Sequence, residues 1–510
     1  MKLNSFLYYT AALLLGGSLL FSSCSDDDDK LPSPEGEKPD KGGRITTHEQ
    51  YYANQFARAI MEYNYVWTEE IAADFNKLDP EKNVDPIKTV REIRYHKDGK
   101  EVDKWTELIK DMKRFEDGVA GVSTTYGYQP ITYLMEKGKK DCVSAVAYVF
   151  KNSPAERAGL KRGDLIYKIN GKQLTTENFE GLFNSSSVTI SLAELKQTPS
   201  GNIIQPTGKD VTMNAVEMYE DPVLLDSIYE VNGKKIGYLA YAAFDLKSIP
   251  SLIQISKKFK AEGVKELILD FRYNGGGYVI TENAMASMYA PKQVVDAKEV
   301  FAIEKYNKQL TKDFEEEGQS TKSYFKTEFK FKDHEGNILS YSTKDANIGI
   351  EKVYGLISRH TASASEALLS GLMPYMDVEI LGEPSHGKYC TGMMVAAKDA
   401  YRVLPLSIKD WGIYVMIAIY QNAKGETPCM PNGLQPDWKA VDEPMLPEQL
   451  GDVNELMLRA ALERAGKVYD TPESKSRSML ENGYQYFSAP HGVNFGKRIL
   501  LSEQLPAYAK

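Results

Sequence analysis

The chain has 510 residues, of which 42% are hydrophobic and 26% are charged, and its formal net charge is −9. This length predicts roughly three domains, and the composition is ordinary for globular proteins. The negative charge argues against nucleic acid as the main partner, because nucleic-acid-binding surfaces are rich in Lys and Arg.

The first residues resemble a secretion signal. An apolar run over residues 6–20 follows Lys2 and is short for a transmembrane helix. Small residues then lead up to Cys24, a pattern that resembles a bacterial lipobox. This resemblance implies that residues 1–24 are a lipoprotein signal peptide, that Cys24 carries lipid, and that the protein is anchored to the outer membrane. An ordinary signal peptide with an incidental cysteine is the alternative.

The segment 25–45 reads as a tether. It is rich in Pro, Gly and charged residues, a composition typical of flexible linkers. Four aspartates at 26–29 form a solvated charge run, and they also resemble the acidic tag that sends some lipoproteins of the Bacteroidetes to the cell surface. We therefore expect a cell-envelope protein that is exposed at the surface.

Residues 46–118 predict a small, mainly helical domain. Thr47 and Gln50 are spaced as a helix cap. The next apolar residues recur at helical spacing and mark one buried face. They are Tyr52, Phe56, Ile60 and Tyr63.

Residues 119–222 change to short strands. The run 153–164, Ser-Pro-Ala-Glu-Arg-Ala-Gly-Leu-Lys-Arg-Gly-Asp, resembles a PDZ domain of the bacterial protease type. A PDZ domain captures a peptide by adding it as a strand to a sheet edge. The resemblance implies peptide binding at Tyr126, Gly127 and Tyr128, which occupy the place of the carboxylate loop. A PDZ domain retained as a rigid spacer or regulator is the alternative.

Residues 223–466 alternate between strands and helices. Strands are predicted at 235–243 and 264–271, with a helix at 251–260 between them. Such alternation indicates an α/β domain with a largely parallel sheet, whose sites gather beyond the carboxyl ends of the strands. The whole chain is therefore predicted to be a multidomain α/β protein.

A serine at a predicted strand-to-helix turn is the strongest functional signal. Ser363 precedes a helical run, so that the next N–H groups could hold an oxyanion. Lys388 follows 25 residues later and could act as a general base if burial lowers its pKa. The same serine forms a capping box with Glu366, and both roles are compatible.

These motifs together resemble the C-terminal processing (tail-specific) serine peptidases. The carriers are Thr-Ala-Ser-Ala-Ser-Glu at 361–366, the Gly-Lys pair ending at Lys388, and Asp-Phe-Arg-Tyr-Asn-Gly-Gly-Gly at 270–277. The resemblance implies that Ser363 is the nucleophile, Lys388 the base, and that the N–H groups of Gly276 (give or take one residue) and Ala364 form the oxyanion hole. It also implies a peptidase core of the ClpP/crotonase-like kind, protein or peptide substrates, and no metal or other cofactor.

Other positions have structural interpretations. We expect Asp270 and Arg272 to form an ion pair, and the Gly-Leu-Gln-Pro-Asp element at 433–437 to be architectural. Many members of the resembled family carry a glutamine four residues after the lysine, where this chain has Gly392. Either Glu366 or a hydroxyl group is then needed to orient Lys388.

Three alternatives stay open at this point. A Ser-His arrangement could use His360 or His386, which stand close to Ser363 and Lys388 in the sequence. The chain could also be a surface lipoprotein that binds peptides on the same fold without turning them over. A glycosidase would need a carboxylate pair, and no motif singles one out.

The remaining segments carry weaker expectations. Cys390 and Cys429 are a candidate disulfide, with Cys142 as the remaining thiol, in an oxidising compartment. Residues 300–345 are charged and are expected to be a solvated insertion, with a lid as the alternative. The tail at 467–510 has no predicted position.

Overall fold

The computed structural model describes residues 44–183, 185–198, 201–333, 335–469, 484–488 and 496–505. The proposed signal peptide, Cys24 and nearly all of the tether lie outside this part of the chain. Within it, no helix combines the length and the apolar character that crossing a bilayer requires.

The N-terminal segment packs onto the rest of the protein. The predicted cap forms, because Gln50 N–H donates to Thr47 Oγ1 (3.2 Å) and Thr47 N–H to Gln50 Oε1 (2.8 Å). The buried face of the first helix shares one hydrophobic core with the α/β part, and the strand Glu107–Ile109 pairs with Gly412–Asn422. The segment thus lacks a separate core. Its elements are α1 (His48–Asn64), α2 (Pro86–Glu92), β1 (His96–Lys97), β2 (Lys100–Glu101), β3 (Glu107–Ile109) and α3 (Met112–Val119).

The PDZ-like region has its own sheet and its own core. Pro154 opens the short α4, and Ser153 caps it by accepting the Glu156 N–H (3.0 Å). The sheet order is β10-β9-β7-β6-β5, with a strand from the far end of the chain added beside β5. The elements are β4 (Val122–Thr125), β5 (Tyr128–Leu134), β6 (Cys142–Val149), α4 (Pro154–Arg157), β7 (Leu165–Ile169), β8 (Lys172–Gln173), α5 (Phe179–Phe183), β9 (Ser187–Thr198), β10 (Gly201–Asn214) and β11 (Val216–Tyr219).

The α/β part is built on two sheets. The first is six-stranded, in the order β12-β13-β14-β20-β21-β24, and its strands are parallel except for β12. This confirms the alternating pattern read from the sequence. Its elements are β12 (Val223–Val231), β13 (Lys234–Tyr241), α6 (Ile249–Ala261), β14 (Glu266–Asp270), β15 (Gly276–Tyr278), α7 (Val279–Tyr289), α8 (Lys292–Asp296), β16 (Val300–Tyr306), α9 (Lys308–Glu316), β17 (Lys322–Tyr324), β18 (Glu328–Lys332), β19 (Ile338–Ser342), β20 (Lys352–Ile357), α10 (Ala364–Leu372), β21 (Asp377–Gly382), β22 (Cys390–Ala396), α11 (Ala397–Ala400), β23 (Gly412–Asn422), β24 (Trp438–Lys439) and α12 (Leu456–Arg464).

The second sheet joins distant parts of the chain. Its order is β15-β26-β22-β23-β16-β17, where β26 is Lys497–Leu500, and β3 is attached to β23. Helices α7 and α10 pack against each other and are buried on every face, as expected for helices in the centre of a large core. Part of the tail without a predicted position is therefore an integral strand.

The expectation of a solvated insertion at 300–345 is wrong. Strand β16 belongs to the second sheet, and β18 alternates exposed charges with buried phenylalanines. The charged composition hides this anchoring in β18, because Phe329 and Phe331 each stand between lysine or glutamate residues. The buried aromatic residues are Phe301, Phe314, Phe325, Phe329 and Phe331.

The suggested disulfide is also wrong. All three cysteines in the described ranges are buried thiols. Cys390 Sγ lies 3.3 Å from Met416 Sδ, and Cys429 Sγ lies 3.0 Å from the Tyr420 hydroxyl. Strand β23 provides a different partner for each thiol, so sequence spacing alone could not decide their pairing.

Candidate active site

Ser363 stands at the turn between β20 and α10 with an unusual backbone. Its φ is 64°, a conformation that a residue with a side chain adopts at a cost of about 1–3 kcal/mol. The side chain is fully buried, and among the described residues Oγ has no hydrogen-bond partner. The serine half of the expected capping box is therefore not used, and the hydroxyl is left available for chemistry.

Glu366 connects the serine turn to the lysine loop. Its carboxylate accepts four hydrogen bonds, two on each oxygen. Oε2 accepts the N–H groups of Ser363 (2.6 Å) and Lys388 (2.9 Å), while Oε1 accepts the Ser385 hydroxyl (2.5 Å) and the Gly387 N–H (2.7 Å). Burial raises the pKa of Glu366 to about 7, although these four hydrogen bonds lower it.

Lys388 is fully buried, as a lysine that acts as a base at neutral pH requires. Burial lowers its pKa to about 7, and the nearby charges of Lys497 and Arg498 contribute to the decrease. Its Nζ donates to the Tyr414 hydroxyl (3.0 Å) and lies 5.2 Å from the centre of the Trp105 ring. Lys388 thus exists partly as the neutral amine at physiological pH.

Tyr414 occupies the space that a side chain at position 392 would need. A Cβ atom on Gly392 would lie 2.4 Å from Cζ of Tyr414, closer than real Cβ contacts come. The Tyr414 hydroxyl accepts from Lys388 Nζ and donates to the Arg498 carbonyl oxygen (3.2 Å). Tyr414 on β23 is therefore the candidate for a hydroxyl group that orients Lys388.

The glycine run lies directly against the serine. A Cβ on Gly276 would lie 2.9 Å from Cβ of Ser363 and 2.3 Å from the Lys497 carbonyl oxygen, so only glycine fits there. The Gly276 N–H donates to Asn274 Oδ1 (2.9 Å), and the Asn274 carbonyl accepts the Ala362 N–H (3.0 Å). These two hydrogen bonds fix the glycine run to the serine turn. Because the Gly276 N–H already donates to Asn274, the N–H of the preceding residue, Gly275, is the alternative donor to the oxyanion.

Ala364 is the first residue of α10, where N–H groups at a helix start point outward. Ser363, Lys388, Gly276 and Ala364 thus lie around one buried point, and their roles stay predictions. Ser363 Oγ and Lys388 Nζ are not hydrogen-bonded to each other in this arrangement.

The two histidines lie around this point without bonding to the serine hydroxyl. His360 is buried against the Tyr486 ring, with ring centres 5.6 Å apart. The His386 ring lies edge-on to Trp105, and the backbone N–H of His386 donates to the Thr361 carbonyl (2.9 Å). The Ser-His alternative therefore has no direct contact that supports it.

Comparison with known proteins gives a consistent family. The model of peptidase family S41 matches residues 235–440, and a PDZ domain model matches residues 146–183. The first match contains the serine turn, the lysine and the glycine run. The residues that carry the candidate site are therefore similar to peptidase family S41.

Curated relatives match about half of the chain. The carboxy-terminal processing protease CtpA of Bacillus subtilis is 25% identical over 279 residues, which is 54% of this chain and 50% of that protein. A Staphylococcus aureus protein described as a CtpA-like serine protease is 23% identical over 288 residues, 56% of this chain and 49% of the relative. The chain thus spans about half the length of the curated relatives it matches.

A solved structure has a similar fold. A Bacteroides fragilis protein assigned to the S41 proteases superposes with a TM-score of 0.60, at 20% identity, covering 81% of this chain and 97% of the other. This likeness concerns the fold, and at 81% of this chain it extends beyond the residues that the family model matches.

The ion pair expected between Asp270 and Arg272 is part of a larger buried cluster. Arg272 donates to Asp270 (2.7 Å) and to Glu455 (2.6 Å), and both partners are buried. Arg162 of the PDZ-like region reaches the same cluster through Asp442 (2.7 Å). Although burial opposes it, the two arginines lower the pKa of Asp442 to about 2. The cluster therefore joins the PDZ-like region to the strand that leads into the glycine run.

The predicted PDZ loop is well ordered by its neighbours. Gly127 has φ 79°, and a Cβ there would lie 2.2 Å from Cβ of Ser153. The Tyr126 carbonyl accepts the Ala155 N–H (2.9 Å), and Tyr128 begins β5. The loop lies directly before β5, and its role in peptide binding stays a prediction.

The sequence did not reveal several residues of the site. Ser385, Tyr414, Trp105 and Lys497 come from four separate segments, and no motif marks them. Only Ser385 had a usable signal, since it lies three residues before Lys388 in the same loop. The Gly433 element supports that loop, because a Cβ on Gly433 would lie 2.1 Å from the Ser385 carbonyl oxygen.

In the ranges that the structure covers, no three His, Cys, Asp or Glu side chains converge in a way that could hold a metal ion.

Proposed function

We propose that this protein is a serine endopeptidase that cleaves unstructured or C-terminal segments of other proteins through Ser363 and Lys388. The observation that carries the proposal is the shared carboxylate of Glu366, which holds the serine turn and the lysine loop together beside the glycine run. The lowered pKa of the buried Lys388 supports its role as base.

The chemistry is acyl transfer. Ser363 Oγ attacks the peptide carbonyl while Lys388 Nζ takes the hydroxyl proton, and the developing oxyanion is held by backbone N–H groups at Ala364 and in the glycine run. Lys388 then gives this proton to the leaving amine. Lys388 Nζ next takes a proton from a water molecule, which attacks the acyl group. The acyl group is released as a carboxylic acid, and Ser363 Oγ regains a proton from Lys388.

Tyr414 has a positioning role in this scheme. By accepting one N–H of the Lys388 amine, it leaves the lone pair on Nζ for the serine proton. Because Ser363 Oγ and Lys388 Nζ are not bonded in the present arrangement, the productive contact forms when substrate arrives. Apo sites commonly tighten in this way.

The test is cleavage of casein, an unstructured protein, with fragments identified by mass spectrometry. We expect the wild type to cut, and Ser363→Ala and Lys388→Ala to lose about 10⁴-fold or more of the activity. Ser370→Ala is the matched control, because Ser370 lies on the same helix, is buried, and also has an unpartnered hydroxyl. Cleavage that survives Lys388→Ala would contradict the Ser-Lys mechanism.

The competing function is a surface lipoprotein that captures peptides without turnover. The complete burial of Ser363 favours it, since a hydroxyl closed to solvent is also closed to substrate in this arrangement. Absence of casein cleavage by the wild type, at several pH values and protein concentrations, would support this second candidate.

We also propose, from the sequence pattern alone, that Cys24 anchors the protein to the outer membrane. Incorporation of labelled palmitate into the full chain, and its loss in Cys24→Ala, tests the anchor. Protease accessibility on intact cells tests the surface exposure.

A further inference from the structure

A strand from the far end of the chain occupies the open edge of the PDZ-like sheet. Strand β25 (Gln485–Ser488) pairs antiparallel with β5. The paired residues are Gln485 with Leu134, Tyr486 with Tyr133, and Ser488 with Thr132. From Gln485 to Ser488 the partners on β5 run from Leu134 back to Thr132, so the strand β25 is directed toward the loop at 126–128. A peptide captured by a PDZ domain adds as a strand to such an edge.

The side chains of this strand fill the neighbouring groove. Phe487 lies edge-on to Phe179 of α5, with ring centres 5.3 Å apart at an angle of 74°. It packs against the PDZ core, as do Phe183 and Leu134. Strand β25 therefore contacts both the sheet edge and the helix, which are the two walls of a peptide groove.

We propose that residues 485–488 are an internal ligand of the PDZ groove, which an incoming extended peptide with an aromatic side chain must displace before the site at Ser363 opens. The first half of this proposal concerns binding only. The second half rests on the peptidase function proposed above.

Tyr486 provides the connection between the groove and the site. Its ring packs edge-on to Tyr133 of β5 (6.3 Å between centres), and Arg359 lies 4.7 Å from the centre of the same ring. His360 packs against it as well. A cleft lined by Tyr133, Tyr486 and residues 358–360 separates the two domains at this point.

The turn that Tyr486 touches leads directly to the nucleophile. Within it, Thr361 Oγ1 donates to the Phe271 carbonyl (2.7 Å), and Ser358 Oγ donates to the Arg272 carbonyl (2.5 Å). The turn therefore holds the start of the glycine run on one side and Ser363 on the other. Removing Tyr486 from Arg359 and His360 releases one face of this turn.

Covalent attachment explains why the internal ligand would prevail over a free peptide of the same sequence. A tethered segment acts at an effective concentration of about 1 mM, so a competitor must exceed that level or bind more tightly. Weakening the internal strand should therefore improve the apparent affinity for an added peptide.

The first experiment measures binding by fluorescence anisotropy in the full chain carrying Ser363→Ala, so that the probe is not cut. The probe is a labelled peptide of residues 484–490, Tyr-Gln-Tyr-Phe-Ser-Ala-Pro. We expect addition of Phe487→Ala to tighten binding at least tenfold, while Tyr324→Ala, which removes an exposed aromatic ring elsewhere, leaves it unchanged. Equal affinity with and without Phe487→Ala, or no binding by either protein, would overturn the proposal.

A reversible lock keeps the test informative if Phe487→Ala fails to fold. Gln485→Cys with Leu134→Cys joins two directly paired positions. After oxidation, confirmed by mass spectrometry, we expect the peptide to bind at least tenfold more weakly than after reduction. Undiminished binding to the locked protein would show that the peptide uses another surface.

The second experiment separates the two halves of the proposal. Adding the peptide to the wild type should increase the rate of casein cleavage several-fold, and the oxidised lock should abolish that increase. A peptide that binds without changing the rate would overturn the coupling to Ser363. If casein is never cut while the binding results hold, the peptidase function fails and the internal ligand stands.

Discussion

The backbone amides of Ser363 and Lys388 donate to the same carboxylate oxygen, Oε2 of Glu366. The separation between nucleophile and base is thus set by one buried side chain rather than by the two loops that carry them. The sequence indicated only a helix-capping role for Glu366. It also fixes the lysine loop, because its second oxygen, Oε1, accepts hydrogen bonds from Ser385 and Gly387.

We therefore expect Glu366→Gln to be damaging. The substitution keeps the shape but points an amide NH₂ at N–H or hydroxyl donors, so that at least two buried groups lose their acceptor at about 1–3 kcal/mol each. The free energy of unfolding, measured in urea, should fall by about 3 kcal/mol, with casein cleavage reduced at least a hundredfold. Glu92→Gln, on an exposed pair with Lys88, is the control. A stable and active Glu366→Gln protein would contradict the proposed role.

Tyr414→Phe tests whether this hydroxyl takes the place of the missing glutamine. Loss of one hydrogen bond to Lys388 Nζ should reduce kcat about threefold to tenfold and leave KM nearly unchanged. A shifted acid limb in the pH profile would distinguish this positioning role from a general loss of packing, since the fold is retained when only a hydroxyl is removed.

Gly392→Ala should be more severe than Tyr414→Phe. The new methyl group collides with the Tyr414 ring and with Cε of Met416, 2.5 Å away, so the tyrosine must leave its position. Gly181→Ala is the matched control because its Cβ meets open space. If the activity of Gly392→Ala equals that of the control, Tyr414 does not orient Lys388.

The dependence of kcat/KM on pH should show an acid limb near 7. Lys388 accepts the serine proton only as the neutral amine, so activity increases as pH rises through its pKa of about 7 and is lost below it. Removing a neighbouring positive charge makes protonation of Lys388 easier. Lys497→Met should therefore move the acid limb to higher pH, whereas Lys292→Met, on an exposed helix, should not. An acid limb that stays in place in Lys497→Met would show that Lys388 does not control it.

Arg162→Met should weaken the junction between the PDZ-like region and the peptidase core. The substitution leaves Asp442 with one arginine instead of two and removes a donor to the Tyr273 hydroxyl. Breaking a buried pair in this way costs about 3–5 kcal/mol, measurable by urea unfolding. Arg157→Met removes an exposed arginine of the same region and should change stability little. Equal stability of the two variants would mean that the cluster is dispensable.

Local sequence patterns predicted much of this protein. The 361–366 motif, Lys388 and the glycine run could each be recognised because each is a short segment with its own local geometry. They lie together because the parallel sheet brings the carboxyl ends of their strands to one edge. Ser363 at the start of α10 and the Thr47 cap follow the same logic.

Long-range strand pairing was beyond prediction. Tyr414 reaches Lys388 only because β22 and β23 are paired, and Lys497 reaches it only because β26 enters beside β22. Nothing within a few residues of either position encodes those neighbours. The buried phenylalanines at 300–345 were missed for a related reason, since the average charge of a segment does not show which side chains point inward.

Strand β26 lies between β15, which carries Gly276, and β22, which follows Lys388. During synthesis, residues 276, 363 and 388 leave the ribosome more than a hundred residues before Lys497. The growing chain therefore already contains Ser363 and Lys388 before β26 has been made, and β26 is the strand that joins β15 to β22. Hydrolytic activity would then begin only after β26 has been made and has paired with β15 and β22. Incomplete chains would therefore not cleave other incomplete chains beside them.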